Sequence, residues 1–308
     1  MRFSGHDTFA CRTTWLYKGI KLLNESRQDG EYNLSILSGG EATIQLGVGK
    51  NMVNAIKYWL LSFGIFDVEE NEFSDIAELI YAEDGDDNDA DAFIEDRFTL
   101  WLLHHEICSR NHATIFNFFF TEYFKRKSTR TFSETEFVAS LVSWIKELDE
   151  KVPSEKSLRS DLRCLIDTYC FKKSKKATFE DNHTTLLTEL GLLKRTDFKS
   201  GDNESIYELN TQAALKEPPS LFATLLLKEF GAKGAQSISL DDVYLNLGTV
   251  LLLNREDFSK KLEDVSQVFS KEFSFKENKA TGIQELQINT SIDWLTFAKK
   301  RHYRAHIN

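Results

Sequence analysis

The stretch from Glu41 to Asp67 reads EATIQLGVGKNMVNAIKYWLLSFGIFD and predicts two short helices that cross at a sharp angle. Gly47 is expected at the turn between them, because a left-handed backbone at the end of a helix costs glycine least. The second helix has an apolar face with a periodicity of 3.6 residues. That face is formed by Val53, Ile56, Leu60 and Phe63.

The opposite face of the second helix presents long hydrogen-bond donors. It consists of Lys50, Asn54 and Lys57, with Asn51 and Tyr58 beside them. Donors arranged in this way are typical of a recognition helix that contacts phosphates and base edges of DNA. The alternative is an amphipathic helical hairpin that only packs in a core, since helix-turn-helix units also serve as scaffolds.

The composition favours a mainly helical protein of two or three domains. The chain has 308 residues, three prolines, 15 glycines and 41% hydrophobic residues, which does not suit a β-sandwich or a disordered chain. The formal net charge is −10, but fourteen acidic residues and no Lys or Arg lie between 67 and 96. Without those fourteen charges the net charge becomes +4, so the rest of the chain is mildly basic.

The chain carries no pattern of a secreted or membrane protein. Its four cysteines are too sparse and irregular for a disulfide framework. Met1-Arg2-Phe3 runs into polar sequence and not into a signal peptide. No apolar run reaches the ~20 residues of a membrane span. A cytoplasmic location without membrane contact is therefore expected.

Three successive segments each read as helices followed by a β-hairpin. Residues 1–130 are predicted to form a helix-turn-helix domain with an acidic insert, residues 131–217 a second winged-helix-like unit, and residues 218–308 a C-terminal helix-helix-hairpin unit. Capping boxes that begin with Ser133 and Ser239 are expected to open helices in the last two. The predicted fold is mainly α with small β wings, in tandem winged-helix or helix-turn-helix-like units. The basic end of the run Leu295–Arg304, which carries Lys299, Lys300, Arg301 and Arg304, is expected to form an exposed tail.

Basic patches follow the first helix-turn-helix, at 125–130, 172–176 and 299–304. Taken alone, each is ordinary solvated surface. Patches that follow a phosphate backbone give a salt-dependent affinity, and together with helix-turn-helix units they favour nucleic acid as the ligand. The predicted DNA contacts outside the second helix are Lys125, Arg126, Lys127, Arg159 and Arg163.

The acidic segment Asp67–Asp96 has three interpretations. Carboxylates bind hard divalent cations, but the segment lacks the ordered spacing and glycine of a calcium loop. A solvated loop and a surface that docks on a basic partner protein are the other two. The spacing of His105, Cys108 and His112 suits zinc only on an unbroken helix, and the helix is expected to break at Ser109–Asn111. His105 and Cys108 are therefore expected in the core.

The N-terminal residues contain a more suggestive polar cluster, His6, Asp7 and Arg12. A histidine acts as a general base or binds metal, a carboxylate orients it, and an arginine holds a phosphate. Because a phosphodiester-cleaving site needs these groups, the three are the candidate catalytic residues. The alternative is that Gly5-His6-Asp7 forms a rigid turn that pins the N-terminus. The sequence identifies no set of metal ligands.

Several motifs together resemble one bacterial family. The motifs are Phe3-x-Gly5-His6-x-Thr8-Phe9, Arg12, Trp15-Leu16-x-Lys18-Gly19, the run from Leu46 to Val53, Tyr58-Trp59, Trp101–His104, Asp161-Leu162, Tyr169 and Leu190-Gly191-Leu192. The family, formerly a domain of unknown function, is encoded in DNA phosphorothioation and anti-phage defence gene clusters. The resemblance covers nearly the whole chain and is loose beyond Pro219.

The resemblance implies a nicking activity that opens one DNA strand so that sulfur can replace a phosphate oxygen. It also implies work beside a cysteine desulfurase, an ATPase and a sulfurtransferase-like enzyme. Asp7 stands where Glu is about as frequent, and no catalytic residues are carried over. The leading hypothesis is a metal-dependent nicking endonuclease with Mg²⁺ as the candidate cofactor. A non-catalytic DNA-binding adaptor and a protein-binding scaffold are the alternatives.

Overall fold

The computed structural model describes most of the chain. The described ranges are 1–38, 40–81, 91–127, 129–171, 185–231, 237–278 and 282–303. The chain divides into two compact units, Met1–Asn210 and Thr211–Asn308. Both are mainly α with small antiparallel sheets, as predicted. The division into three domains stays a prediction.

Some predicted features lie outside the described residues. They are the basic patch 172–176, residues 83–90 of the acidic segment, and Arg304. Within the described part of the chain, no helix combines the length and apolar character that a membrane span needs.

The described residues of the first unit form seven α-helices joined by short 3-10 helices. The α-helices are α1 (Thr13–Glu25), α2 (Gly40–Leu46), α3 (Lys50–Ser62), α4 (Arg97–Ser109), α5 (Thr114–Asn117), α6 (Glu134–Glu147) and α7 (Glu155–Tyr169). The 3-10 helices are Leu34–Ser38, Asp75–Leu79, Asn111–Ala113 and Leu186–Leu190. After α5 the chain continues through a π turn, Phe118–Glu122, and a 3-10 turn, Tyr123–Lys125.

Helices α2 and α3 form the predicted pair with Gly47 between them at φ 66°. The apolar face of α3 is fully buried at Val53, Ile56, Leu60 and the following Phe63. Tyr58, predicted beside the polar face, is instead only 4% exposed. Its ring packs edge-on against His6, with centroids 5.6 Å apart, and this contact from a distant part of the chain draws it into the core.

The core of the first unit is built on α4 and the phenylalanine-rich segment after it. Residues 98–108 are all buried, including His105 and Cys108 as predicted. Phe119 contacts the rings of Phe132 and Phe137, at centroid distances of 5.3 Å and 5.5 Å. Aromatic pairs of this kind contribute about 0.5–1.5 kcal/mol each beyond their buried area. They join the helices before residue 130 to α6.

Two small antiparallel sheets complete the first unit. The strands are β1 (Phe66–Asp67), β2 (Glu72–Phe73), β3 (Thr131–Ser133), β4 (Leu193–Lys199) and β5 (Ser205–Leu209). β1 and β2 form a hairpin directly after α3, with Phe66 opposite Phe73. The other sheet has the order β3-β5-β4, so the strand that precedes α6 and α7 pairs with the last strand of the hairpin that follows them.

The second unit contains the same succession as residues 131–209, which is a short strand, two helices and a hairpin. Its described helices and strands are α8 (Pro219–Phe230), β6 (Ile238–Ser239), α9 (Leu240–Val243) with a π turn (Tyr244–Gly248), α10 (Arg255–Val268), β7 (Phe273–Asn278), β8 (Ile283–Ile288) and α11 (Trp294–Arg301). The sheet order is β6-β8-β7. Lys299–Arg301, predicted in an exposed tail, instead belong to α11, a helix that packs through Phe297 against Phe269 and Phe273. The side chains of Lys300 and Arg301 are exposed, as predicted.

Both predicted capping boxes open helices through their serine. The Ser133 hydroxyl accepts a hydrogen bond from the backbone N–H of Glu136 at 3.3 Å and opens α6. Ser239 accepts one from Asp242 at 3.2 Å and opens α9. Each bond satisfies a backbone donor that the first helical turn leaves unpaired.

Replacing Gly64 by alanine is expected to destabilise the protein more than replacing Gly47. Both glycines have positive φ, 60° and 66°, so each alanine costs about 1–2 kcal/mol of backbone strain. At Gly64 a Cβ would also lie 2.1 Å from Nε of Arg110, which forms a 2.6 Å ion pair with buried Glu106. Displacing that arginine adds about 1–3 kcal/mol.

Urea unfolding of the two single variants measures this difference. Gly47→Ala is the matched control, because nothing lies within 4 Å of a Cβ there. Equal losses of unfolding free energy in both variants would contradict the packing argument.

Candidate nucleic-acid interface

Residues 3–9 form a compact segment, called here the N-terminal turn, with an unusual backbone. Ser4, Gly5, Asp7 and Thr8 have φ values of 62°, 107°, 46° and 66°. Left-handed backbone is costly for residues other than glycine and persists only where surrounding contacts enforce it. The strain indicates that contacts with other parts of the protein hold this segment in place. No sequence pattern predicts it.

Contacts from α3 and α7 hold the N-terminal turn. The backbone N–H of Ser4 donates to Asp161 Oδ2 at 2.9 Å, and the hydroxyls of Ser4 and Ser157 lie 2.8 Å apart. The indole N–H of Trp59 donates to the carbonyl of Phe9 at 3.0 Å. The turn is therefore fastened to two helices that are distant from it in sequence.

His6 provides the most enclosed of these contacts. Its side chain is 3% exposed, and Nε2 lies 2.8 Å from Oδ1 of Asp161, which is 2% exposed. The backbone N–H of Thr8 donates to Nδ1 at 3.0 Å. A carboxylate only accepts and an amide N–H only donates, so His6 is the neutral tautomer with its proton on Nε2. Both ring nitrogens are thus used inside the protein, as the rigid-turn alternative requires, and a catalytic role for His6 stays a prediction.

Asp7 and Arg12 lie at the surface of the same region. Asp7 is half-buried, and its Oδ2 accepts a hydrogen bond from Nδ2 of Asn54 at 3.1 Å. The guanidinium of Arg12 lies 5.7 Å from the ring centroid of Trp15, and its side chain is exposed. Within the described part of the chain, no hydrogen bond or ion pair joins Arg12 to the other two candidates. The structure therefore brings Asp7 to the predicted recognition helix and leaves Arg12 apart.

The outer face of α3 carries uncompensated positive charge. Lys50 and Asn51 are exposed, and Asn54 and Lys57 are half-buried. Lys57 Nζ donates to the hydroxyl of Ser38 at 3.3 Å. Neither Lys50 nor Lys57 forms an ion pair with a carboxylate among the described residues. These two charges are thus available to an external anion.

The other predicted DNA contacts are all paired with carboxylates. The pairs are Lys125–Glu122 at 2.9 Å, Arg126–Glu147 at 2.8 Å, Lys127–Glu136 at 2.5 Å, Arg159–Glu155 at 2.8 Å and Arg163–Glu134 at 3.7 Å. The hydrogen bond from Arg126 lowers the pKa of the Glu147 carboxyl below its usual value. In each pair the carboxylate offsets the positive charge and competes with a phosphate for it. The assignment of these side chains to DNA stays a prediction.

Cysteine chemistry and a preformed metal cluster find no support in the described residues. All four cysteines are buried, and burial raises the pKa of the Cys11 and Cys108 thiols well above its usual value. A protonated buried thiol is a poor nucleophile. Among the described side chains, no group of three or more His, Cys, Asp or Glu is placed to hold a metal ion.

Asp161 belongs to one of the sequence motifs but was not predicted as a site residue, although it holds both Ser4 and His6. It lies on the same side of α7 as the buried Leu158, Leu162 and Leu165. A carboxylate inside an apolar stripe of 3.6-residue periodicity signals a buried partner, since an unpaired buried charge is costly. The sequence does not reveal that the partner is His6.

His112 lies against Arg2, which directly precedes the N-terminal turn, and against Tyr58 of α3. Arg2 Nη1 lies 3.3 Å from His112 Nδ1, and the rings of Tyr58 and His112 have centroids 5.9 Å apart. Burial, assisted by the charges of Arg2 and Arg110, lowers the pKa of His112 from 6.5 to about 4. The folded protein therefore favours the neutral ring.

Lowering the pH from about 6.5 to about 4 is expected to destabilise the protein through His112. The unfolded chain takes up a proton on this side chain as the pH falls through its usual pKa, but the folded chain does so only near pH 4. His112→Gln removes this contribution, so its unfolding free energy should fall less between pH 7 and pH 5 than that of the wild type. Urea unfolding at pH 7 and pH 5 measures the unfolding free energy of each protein. An identical loss in the wild type and in His112→Gln would show that His112 does not cause the acid sensitivity.

The DUF4007 family, described as proteins of unknown function, matches residues 3–299. No curated protein matches. The structure "Magnesium ion-bound SspB crystal structure" has a TM-score of 0.72 and 22% identity, over 98% of this chain and 96% of that chain. The structure "SspB crystal structure" has a TM-score of 0.71 and 21% identity, over 99% and 94%.

These matches confirm the resemblance predicted from the sequence motifs. They extend over the part beyond Pro219, where the sequence resemblance was loose. At 21–22% identity the two solved structures establish a shared fold. The chain belongs to the DUF4007 family and has the fold of SspB.

Proposed function

We propose that this protein binds DNA as a component of a bacterial DNA phosphorothioation system. The observation that carries the proposal is the outer face of α3, where Lys50 and Lys57 have no carboxylate partner among the described residues. The family resemblance and the SspB-like fold support the cellular context.

The order of elements supports winged-helix units. In the sheets β3-β5-β4 and β6-β8-β7, a short strand, two helices and a hairpin follow each other, and the first strand pairs with the last. Around α3, the helix pair is followed directly by the hairpin β1–β2. In helix-turn-helix proteins the second helix of the pair lies in the major groove, which assigns that position to α3.

Two kinds of contact follow from this placement. The ammonium groups of Lys50 and Lys57 bind phosphates as point charges and supply affinity that falls with salt. The amides of Asn51 and Asn54 both donate and accept, and this is what reading base edges requires. The net charge of −10 is compatible with DNA binding, because fourteen acidic residues are concentrated between 67 and 96 and the rest of the chain is mildly basic.

Replacing both lysines, Lys50→Ala with Lys57→Ala, is expected to weaken binding to duplex DNA at every sequence. Loss of two phosphate contacts should also reduce the slope of log K against log salt by about 1.8. Fluorescence anisotropy across a salt series measures both quantities. The matched comparison is Lys125→Ala with Arg126→Ala, which removes the same charge from paired side chains and should cost less affinity.

The opposite ranking of the two double variants would move the interface away from α3. Unchanged binding in Lys50→Ala with Lys57→Ala would exclude α3 as the contact helix.

We further propose that the protein nicks one DNA strand with Mg²⁺ as cofactor. The family resemblance supports nicking, and one of the similar structures is a magnesium-bound SspB. The described residues do not form a complete magnesium site. Magnesium commonly takes only one or two protein carboxylates and completes its coordination with waters and substrate phosphates. Asp7 supplies one surface carboxylate beside α3, and Arg12 supplies a guanidinium for a phosphate.

Conversion of supercoiled plasmid to open circles tests this proposal. In the presence of Mg²⁺ the wild type is expected to nick, and Asp7→Ala and Arg12→Ala are expected to lose nicking while they keep a folded structure. His6→Ala should lose nicking too, but its buried bond to Asp161 requires a parallel measurement of stability. Wild-type rates in Asp7→Ala and Arg12→Ala would show that the chemistry lies elsewhere.

A non-catalytic adaptor is the second candidate. It keeps the DNA contact of α3 and recruits the cysteine desulfurase, the ATPase and the sulfurtransferase-like enzyme that the resemblance implies as partners. Wild-type protein that binds DNA but does not nick it with Mg²⁺ would favour the adaptor. A protein-binding scaffold, the third class, predicts no DNA binding.

A further inference from the structure

The hydrogen bond between Asn54 and Asp7 fixes the orientation of a side chain on the proposed DNA-contacting face. Asn54 lies one helical turn after Lys50, and its Nδ2 is 3.1 Å from Asp7 Oδ2. A carboxylate only accepts hydrogen bonds, so the Asn54 amide group must point its NH₂ toward Asp7. An asparagine without such a partner turns its amide freely between the two orientations.

Asp7 is itself held in place by its neighbours in the N-terminal turn. It has φ 46°, between His6, which is bonded to Asp161, and Thr8, whose N–H is bonded to His6. Strained backbone persists where the surroundings enforce it, and it is concentrated at functional sites. The strained turn places the Asp7 carboxylate at the outer face of α3, where it accepts the hydrogen bond from Asn54.

We propose that Asn54 reads an adenine in the major groove and that Asp7 is its positioning residue. This rests on the proposed DNA binding through α3. After donation to Asp7, one amide hydrogen and Oδ1 of Asn54 have no hydrogen-bond partner among the described residues. Adenine presents N7 as an acceptor and its N6 amino group as a donor, which matches that remaining pair.

The other purine fits this orientation less well. Guanine presents two acceptors, O6 and N7, so Oδ1 of Asn54 would face an acceptor and stay unpaired. Asn51 is more exposed and makes no hydrogen bond to the N-terminal turn among the described residues. Ordering its amide on DNA therefore carries a larger entropic cost. Asn54 is for this reason the specificity-determining residue.

Selection of duplexes from a random library, with EDTA to prevent nicking, tests the proposal. The wild type is expected to enrich sites with one fixed adenine, and Asn54→Ala is expected to lose the enrichment at that position. Asp7→Asn keeps a residue that tolerates left-handed backbone, but its amide either donates or accepts, so the Asn54 orientation is no longer fixed. Its preference for adenine should therefore weaken. The matched control is Asn246→Ala, in the second unit, whose exposed side chain donates from Nδ2 to the Asp242 carbonyl of its own helix and to no other described residue.

Replacement of the selected adenine by 7-deazaadenine, which lacks the N7 acceptor, gives a second readout. It should lower wild-type affinity about 5-fold or more and leave the affinity of Asn54→Ala unchanged. A merely structural role of Asn54 would weaken binding to all sequences equally. A wild-type adenine preference that survives in Asn54→Ala, or no effect of 7-deazaadenine, would overturn the inference alone. Failure of the wild type to bind any duplex would overturn the proposed function with it.

Discussion

The buried hydrogen bond between His6 Nε2 and Asp161 Oδ1 is the contact on which the N-terminal region depends. Without His6, the carboxylate of Asp161 would lose its partner in the core, and breaking a buried polar pair costs far more than a surface contact contributes. The same carboxylate accepts the backbone N–H of Ser4, so one side chain of α7 holds two residues of the N-terminal turn. The left-handed backbone at Asp7 follows from this attachment and delivers a carboxylate to α3.

Pairing of charges separates the proposed interface from the rest of the basic surface. Exposed ion pairs contribute little to stability, but they neutralise the local field and hold their cations in place. Arg126 and Arg159 are held in this way by Glu147 and Glu155, whereas Lys50 and Lys57 on α3 form no ion pair with a carboxylate among the described residues. The distribution of charge, and not its sum, is what makes a chain of net charge −10 compatible with DNA.

Local features of this chain were predictable, and contacts between distant segments were not. Periodicity and one glycine placed α2, α3 and the turn at Gly47, and serine caps placed α6 and α9, because each depends on neighbours within a few residues. The burial of Tyr58, the partner of His6 and the helix at 294–301 depend on packing between segments far apart in sequence. Structural clusters and active sites use the same residue types, so the residue types at His6, Asp7 and Arg12 alone do not distinguish a rigid turn from a cleavage site.

Hydrogen–deuterium exchange of the protein with and without a saturating DNA duplex tests the central claim most directly. If DNA binds on α3 and the N-terminal turn, amides in peptides covering residues 2–12 and 50–57 exchange more slowly in the complex. Peptides covering 122–127 and 155–163, whose basic side chains are paired with carboxylates, should change little. Protection confined to the latter peptides, with residues 50–57 unchanged, would contradict the account.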